Sequence, residues 1–132
     1  MVKKTVILVV EDEALIRMNA IETLEDAGFA TVEAGSAGDA MKILELRSDI
    51  RVVFTDINMP GTFDGMRLAR LVRDRWPPIH LVVTSGLALP TAEDIAAIGK
   101  FIPKPYRLEH VIATIRELLD GNASPEPAIK AA

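Results

Sequence analysis

The chain has 132 residues, enough for one domain of ordinary size. With 49% of its residues apolar and 26% charged, it is neither a disordered tail nor a fibre. A net charge of -4 argues against a general nucleic-acid binder, and a sequence with no cysteine has no disulfide, thiolate zinc site or cysteine nucleophile.

The first apolar run, residues 5–10, follows Lys3 and Lys4 much as the core of a signal peptide would. It is about half as long as such a core, and Glu11, Asp12 and Glu13 end it with no small-residue cleavage site. No stretch approaches the roughly 20 apolar residues that span a bilayer, so a cytoplasmic protein with no membrane insertion is expected. Residues 5–10 read instead as a strand. In the helical stretch that follows, Ile16, Ala20, Leu24 and Ala27 recur every three to four residues, and Gly28 supplies the stop.

Residues 29–34 form a second strand pattern, and a helix over 36–46 follows, with Ser36 as N-cap and Ala40, Met41 and Leu44 facing inward. A third strand, 51–55, leads to a helix carrying Leu68, Leu71 and Val72, which Pro77-Pro78 ends. The fourth strand, 79–84, is nearly continuous in apolar residues, as is the first; this is the pattern of strands covered on both faces. A short helix over 90–97 ends at Gly99, and a fifth strand spans 100–103. The last helix has the cleanest stripe: Leu108, Val111, Ile112, Ile115, Leu118 and Leu119. Residues 1–120 make one domain, and 121–132, with two prolines and small residues, read as a flexible tail. This fivefold β-α alternation implies an α/β fold with a parallel sheet, helices on both faces and right-handed crossovers.

In an open α/β sheet, ligands bind beyond the carboxyl ends of the strands. Those ends carry Glu11 and Asp12, then Asp56, then Thr84 and Ser85, then Lys104. Two carboxylates about 4 Å apart repel by about 4 kcal/mol at an effective dielectric near 20, so the cluster favours either a proton or a divalent cation. Oxygen ligands without His or Cys nearby suit a hard ion, and Mg²⁺ above all. An amine at Lys104 and a hydroxyl at Thr84 complete a set of groups suited to phosphoryl transfer at Asp56.

The stretches VVEDE, FTDINMPGTFDG, VVTSG and FIPKPY, in this order and each at a strand end, resemble those of response regulator receiver domains of two-component signalling, over residues 4 to about 120. The resemblance implies a flavodoxin-like (βα)5 fold with strand order 2-1-3-4-5. It makes Asp56 the phosphoacceptor, taking its phosphoryl group from a phosphohistidine on a sensor histidine kinase or phosphotransfer protein. Glu11, Asp12, Asp56 and the backbone carbonyl of Asn58 would hold Mg²⁺. Lys104 and Thr84 would contact the phosphoryl oxygens, Lys104–Pro105 would be a cis peptide bond, and Phe101 would be the aromatic partner of Thr84 in a switch. That switch would repack the surface formed by the helix over 90–97, the fifth strand and the last helix.

Two departures stand out. From Asp56 to Gly65 there are nine steps, one more than the commonest spacing of the family, and the first acid is Glu11, a longer side chain able to reach an ion through water. The resulting expectation is a stand-alone regulator, monomeric or dimerising on phosphorylation, that controls an unknown output protein or relays phosphate. It is expected to catalyse only its own phosphorylation and dephosphorylation. The rival readings are a phosphorylation-independent interaction module and a hydrolase using Asp56 as nucleophile. Against the hydrolase, Asn58 stands where haloacid-dehalogenase-like phosphatases carry a second Asp.

Overall fold

The computed structural model of the chain describes residues 3–57, 65–86 and 99–121. In chain order the elements are β1 (Val6–Val10), α1 (Ala14–Asp26), β2 (Ala30–Ala34), α2 (Ala37–Leu46), β3 (Ile50–Asp56), α3 (Gly65–Arg75), β4 (His80–Ser85), β5 (Lys100–Pro103) and α4 (Leu108–Leu119). All strand pairs are parallel, and the order across the sheet is β2-β1-β3-β4-β5. This is the α/β, flavodoxin-like fold expected, with four helices among the described residues. The helix expected over 90–97, the longer loop after Asp56 and the tail from residue 122 lie outside them.

Local chemistry sets the element ends. Ser36 adopts an extended conformation and its Oγ accepts the Asp39 amide at 3.1 Å, capping α2. Gly28 takes φ +103°, a left-handed conformation that ends α1 at little cost for a residue without Cβ. After α3, the Ile79 amide donates to the Trp76 carbonyl at 2.9 Å across the two prolines. Its N–H is thereby committed to the turn, so β4 starts one residue later than the apolar run does.

Strand side chains alternate between faces, so each strand feeds two cores. Leu8, Val10, Val53 and Val83 pack under α2 and α3 with Ala40, Leu44, Leu68 and Val72. Ile7, Val9, Val52, Phe54 and Val82 pack under α1 and α4 with Leu24, Val111 and Ile115. Full burial of each such Leu, Ile or Val stabilises the fold by about 1.5–3 kcal/mol. The continuous apolar runs of β1 and β4 thus reflect coverage on both sides. Trp76 packs at the end of α3 with the Arg75 guanidinium 4.6 Å from its ring centroid.

Candidate functional site

The strand order reverses at β1, with β2 on one side and β3 on the other, and the register there builds the site. Val10 stands opposite Thr55, so Glu11 and Asp56 emerge side by side. Asp56 stands opposite Thr84, and the β4–β5 pairing ends at Ser85 and Pro103, one residue before Lys104. The ends are tied by three backbone bonds: Glu11 N–H to Ala34 O (3.1 Å), Ile57 N–H to Thr84 O (2.9 Å) and Lys104 N–H to Ser85 O (3.0 Å). Gly65 opens α3 directly against the end of β3; a Cβ there would collide with the Asp56 carbonyl oxygen and lie 2.7 Å from Ile57 Cα. Only glycine lets the helix start that close.

Glu11 and Asp56 are each 4% exposed and Thr84 2%, whereas Asp12 is exposed. One carboxylate oxygen from each of Glu11, Asp12 and Asp56 lies within 4.8 Å of the others. The Lys104 Nζ donates to Asp56 Oδ2 at 2.8 Å and lies 3.6 Å from Glu11 Oε1. The other Glu11 oxygen accepts the Glu13 amide at 3.1 Å. Burial pushes the Glu11 carboxyl above its ordinary value and the Asp56 charge adds to the effect, against the Glu13 hydrogen bond and the Lys104 charge. For Lys104, burial opposes protonation, but the hydrogen bond and charge of Asp56 and the charge of Glu11 outweigh it and hold the amine above its usual value. One ammonium thus serves two buried carboxylates. Oxygen donors only, clustered and short of positive charge, fit a hard divalent cation such as Mg²⁺.

The Thr84 hydroxyl has no hydrogen-bond partner among the described residues. It lines an internal cavity of about 10 Å³ together with Glu11, Phe54, Asp56 and Tyr106. The neighbouring Ser85 is also buried and is not without a partner. Phe101 is half-buried on β5 against the core under α2 and α3. The Lys104–Pro105 bond is cis. Asn58 lies outside the described residues. His80 sits half-buried at the start of β4 and His110 is exposed on α4, both apart from the acids.

Two residues at the site have no role in the reading of the sequence. Tyr106 stacks edge-on against Phe54 with centroids 5.8 Å apart, and burial raises its pKa. Arg17 on α1 reaches back to the Glu11 carbonyl. The sequence signal for Tyr106 was its place two residues after Lys104; for Arg17 it was a cation one helical turn into α1. A groove of about 820 Å³ lies between the first turns of α1 (Leu15, Ile16, Asn19) and the segment Lys104–Tyr106. Leu15 on its rim is 81% exposed.

A doubly wound parallel sheet with an acidic pocket at its switch point, joined there by a lysine just past the last strand, defines a narrow class of α/β protein. The sequence model of the response regulator receiver domain matches residues 7–116, and the chain belongs to that family. Among characterised relatives, the sensor kinase CckA of Brucella abortus is 35% identical over 118 residues, covering 86% of this chain and 12% of CckA. The hydrogenase transcriptional regulatory protein HoxA of Cupriavidus necator is 34% identical over 125 residues, covering 90% of this chain and 25% of HoxA. The chain therefore spans a quarter or less of these two relatives. A response regulator receiver protein from Sinorhizobium medicae superposes with a TM-score of 0.79 at 28% identity, over 91% of this chain and 98% of its own. One from Pseudomonas putida gives 0.78 at 26% identity, over 89% and 99%. Receiver domains bind Mg²⁺ at such acidic clusters and interact with histidine kinases and output domains. No described helix is long and apolar enough to cross a membrane.

Proposed function

We propose that this chain accepts a phosphoryl group on Asp56 from a phosphohistidine of a kinase or phosphotransfer protein, and that the modification switches a surface read by a partner. The observation that carries the reading is the 2.8 Å contact of Lys104 Nζ with Asp56 Oδ2 inside the three-carboxylate cluster. In the transfer, a carboxylate oxygen of Asp56 attacks phosphorus, a P–O bond forms and the P–N bond breaks. The imidazole leaves with the electron pair, and because its other ring nitrogen already carries a proton in the reacting phosphohistidine it is released as the neutral ring. Glu11, Asp12 and Asp56, with the Asn58 carbonyl, would hold Mg²⁺, which offsets negative charge on the phosphoryl oxygens.

The protein's own groups do the rest. Burial keeps water from most of the Asp56 carboxylate. Lys104 stands ready to pass from Asp56 to a phosphoryl oxygen, and the Thr84 hydroxyl, without a partner among the described residues, donates to another. As Thr84 moves, Phe101 turns into the space it leaves, and the surface around β5 and α4 repacks. Inverting a 1:99 equilibrium takes about 5.5 kcal/mol. Two charge-assisted hydrogen bonds at about 1.5–3 kcal/mol each are of that size. The groove beside Leu15 is where the donor protein would lie, since it opens next to Lys104. Beyond this self-modification the domain is not an enzyme.

The test is incubation with acetyl phosphate and Mg²⁺, followed by intact mass. Wild type should gain one phosphoryl group, and Asp56→Asn none. Equal labelling of Asp56→Asn would refute the assignment, while no labelling of wild type by any phosphodonor, with partner binding intact, would favour the phosphorylation-independent module.

A further inference from the structure

Glu11 and Asp12 share one peptide plane, because the Glu11 carbonyl and the Asp12 amide belong to the same rigid unit. That plane lies past the end of β1, and among the described residues no strand neighbour holds the carbonyl. The Glu11 amide is tied to Ala34 O at 3.1 Å and its carboxylate to the Glu13 amide at 3.1 Å. The remaining polar group, the carbonyl oxygen, accepts Arg17 Nη1 at 2.7 Å, a short charge-assisted bond. The same guanidinium donates through Nε to Glu33 Oε1 at 2.8 Å, next to the end of β2. Its amide bonds Glu13 O at 2.9 Å in the first turn of α1. The Arg17 side chain is only 19% exposed, against 57% for Glu33.

We infer that Arg17 is a positioning residue for the metal site: by anchoring the peptide between Glu11 and Asp12 it sets the direction of both carboxylates and thereby the Mg²⁺ affinity. This rests on the functional reading above. A bare cation near a cation site would oppose metal binding, but Glu33 neutralises this one at 2.8 Å, so Arg17 acts on the pocket as a donor rather than as a charge. Groups that orient ligands in this way change metal affinity by about 10–100-fold when removed.

The experiment is an Mg²⁺ titration followed by backbone amide NMR shifts, which report folded molecules only, with urea unfolding in EDTA run in parallel. Arg17→Met should bind Mg²⁺ about tenfold more weakly than wild type. Arg17→Lys, with one donor group in place of a fork, should recover part of the loss and keeps the test open if Arg17→Met does not fold. Arg47→Met, which removes the exposed Arg47–Asp49 pair, serves as control and should bind as wild type does. Unchanged affinity in both Arg17 variants, whatever their stability, would overturn the inference, as would an equal loss in the Arg47 control. Wild type failing to bind Mg²⁺ would instead sink the functional reading itself.

Discussion

Replacing Lys104 by Met separates the two charges that can neutralise the acidic pocket. The ammonium lies 2.8 Å from Asp56 Oδ2 and 3.6 Å from Glu11 Oε1, with 24% of its side chain exposed. At an effective dielectric near 20 these contacts are worth about 6 and about 5 kcal/mol of Coulomb attraction. Much of that is cancelled by the desolvation of all three groups. Removing one partner of a buried pair nonetheless costs about 3–5 kcal/mol, because the other is left uncompensated. For an amine a quarter exposed we expect the lower end, about 3 kcal/mol, in EDTA. Mg²⁺ should then behave in the opposite sense. In the wild type the cation competes with Lys104 for Asp56, and in Lys104→Met it does not, so the variant should bind Mg²⁺ more tightly. At a hundred times its Kd a ligand returns about 2.7 kcal/mol, enough to recover most of the loss. The assay is urea unfolding of both proteins in EDTA and across an Mg²⁺ series, with circular dichroism as readout. If Lys104→Met is as stable as wild type in EDTA, the pocket is not held by this ion pair. If Mg²⁺ stabilises both proteins equally, amine and metal do not share a carboxylate. Either result refutes the reasoning.

Thr84→Val should act with the reverse sign. A buried hydroxyl without a partner costs about 1–3 kcal/mol, so its removal should raise stability in EDTA by about 1 kcal/mol while abolishing any extra stabilisation by beryllofluoride with Mg²⁺, both read by urea unfolding. Gly65→Ala should lower stability and slow acetyl phosphate labelling together, since its Cβ displaces the Asp56 carbonyl; intact mass against time and a melt would show both. His80 should titrate below its ordinary 6.5, because burial and then the charge of Arg51 disfavour its protonated form. The folded state therefore binds this proton less readily than the unfolded chain. The stability this supplies is present above the unfolded pKa and is lost as pH falls from 6.5 toward the folded value. An NMR titration of His80, and loss of that slope in His80→Gln, would check it.

How much of this molecule is written locally is plain from particular residues. The double-sided apolar runs of β1 and β4, the α4 stripe from Leu108 to Leu119, the Ser36 cap and the Gly28 stop all depend on neighbours within a few positions. They are readable as composition and period, and the acids, Thr84 and Lys104 could be placed at strand ends for the same reason. The element ends moved by a residue where a distant partner decided them: β3 extends to Asp56 because it pairs there with Thr84. The strand order itself came from likeness to a known family, not from any periodicity. Which strand lies beside which is settled by how helices pack on both faces, and no local pattern encodes it. That order makes Lys104 reach Asp56 across 48 positions, sets Tyr106 against Phe54, and leaves the Thr84 hydroxyl without a partner among the described residues. The Arg17 anchor belongs to the same class, for its value lies in a carbonyl that only the folded loop turns toward it. Sequence alone determined which chemistry was present and at which edge of the sheet; tertiary packing decided the distances at which those groups interact, because Coulomb and hydrogen-bond energies depend on separations that only the assembled sheet defines.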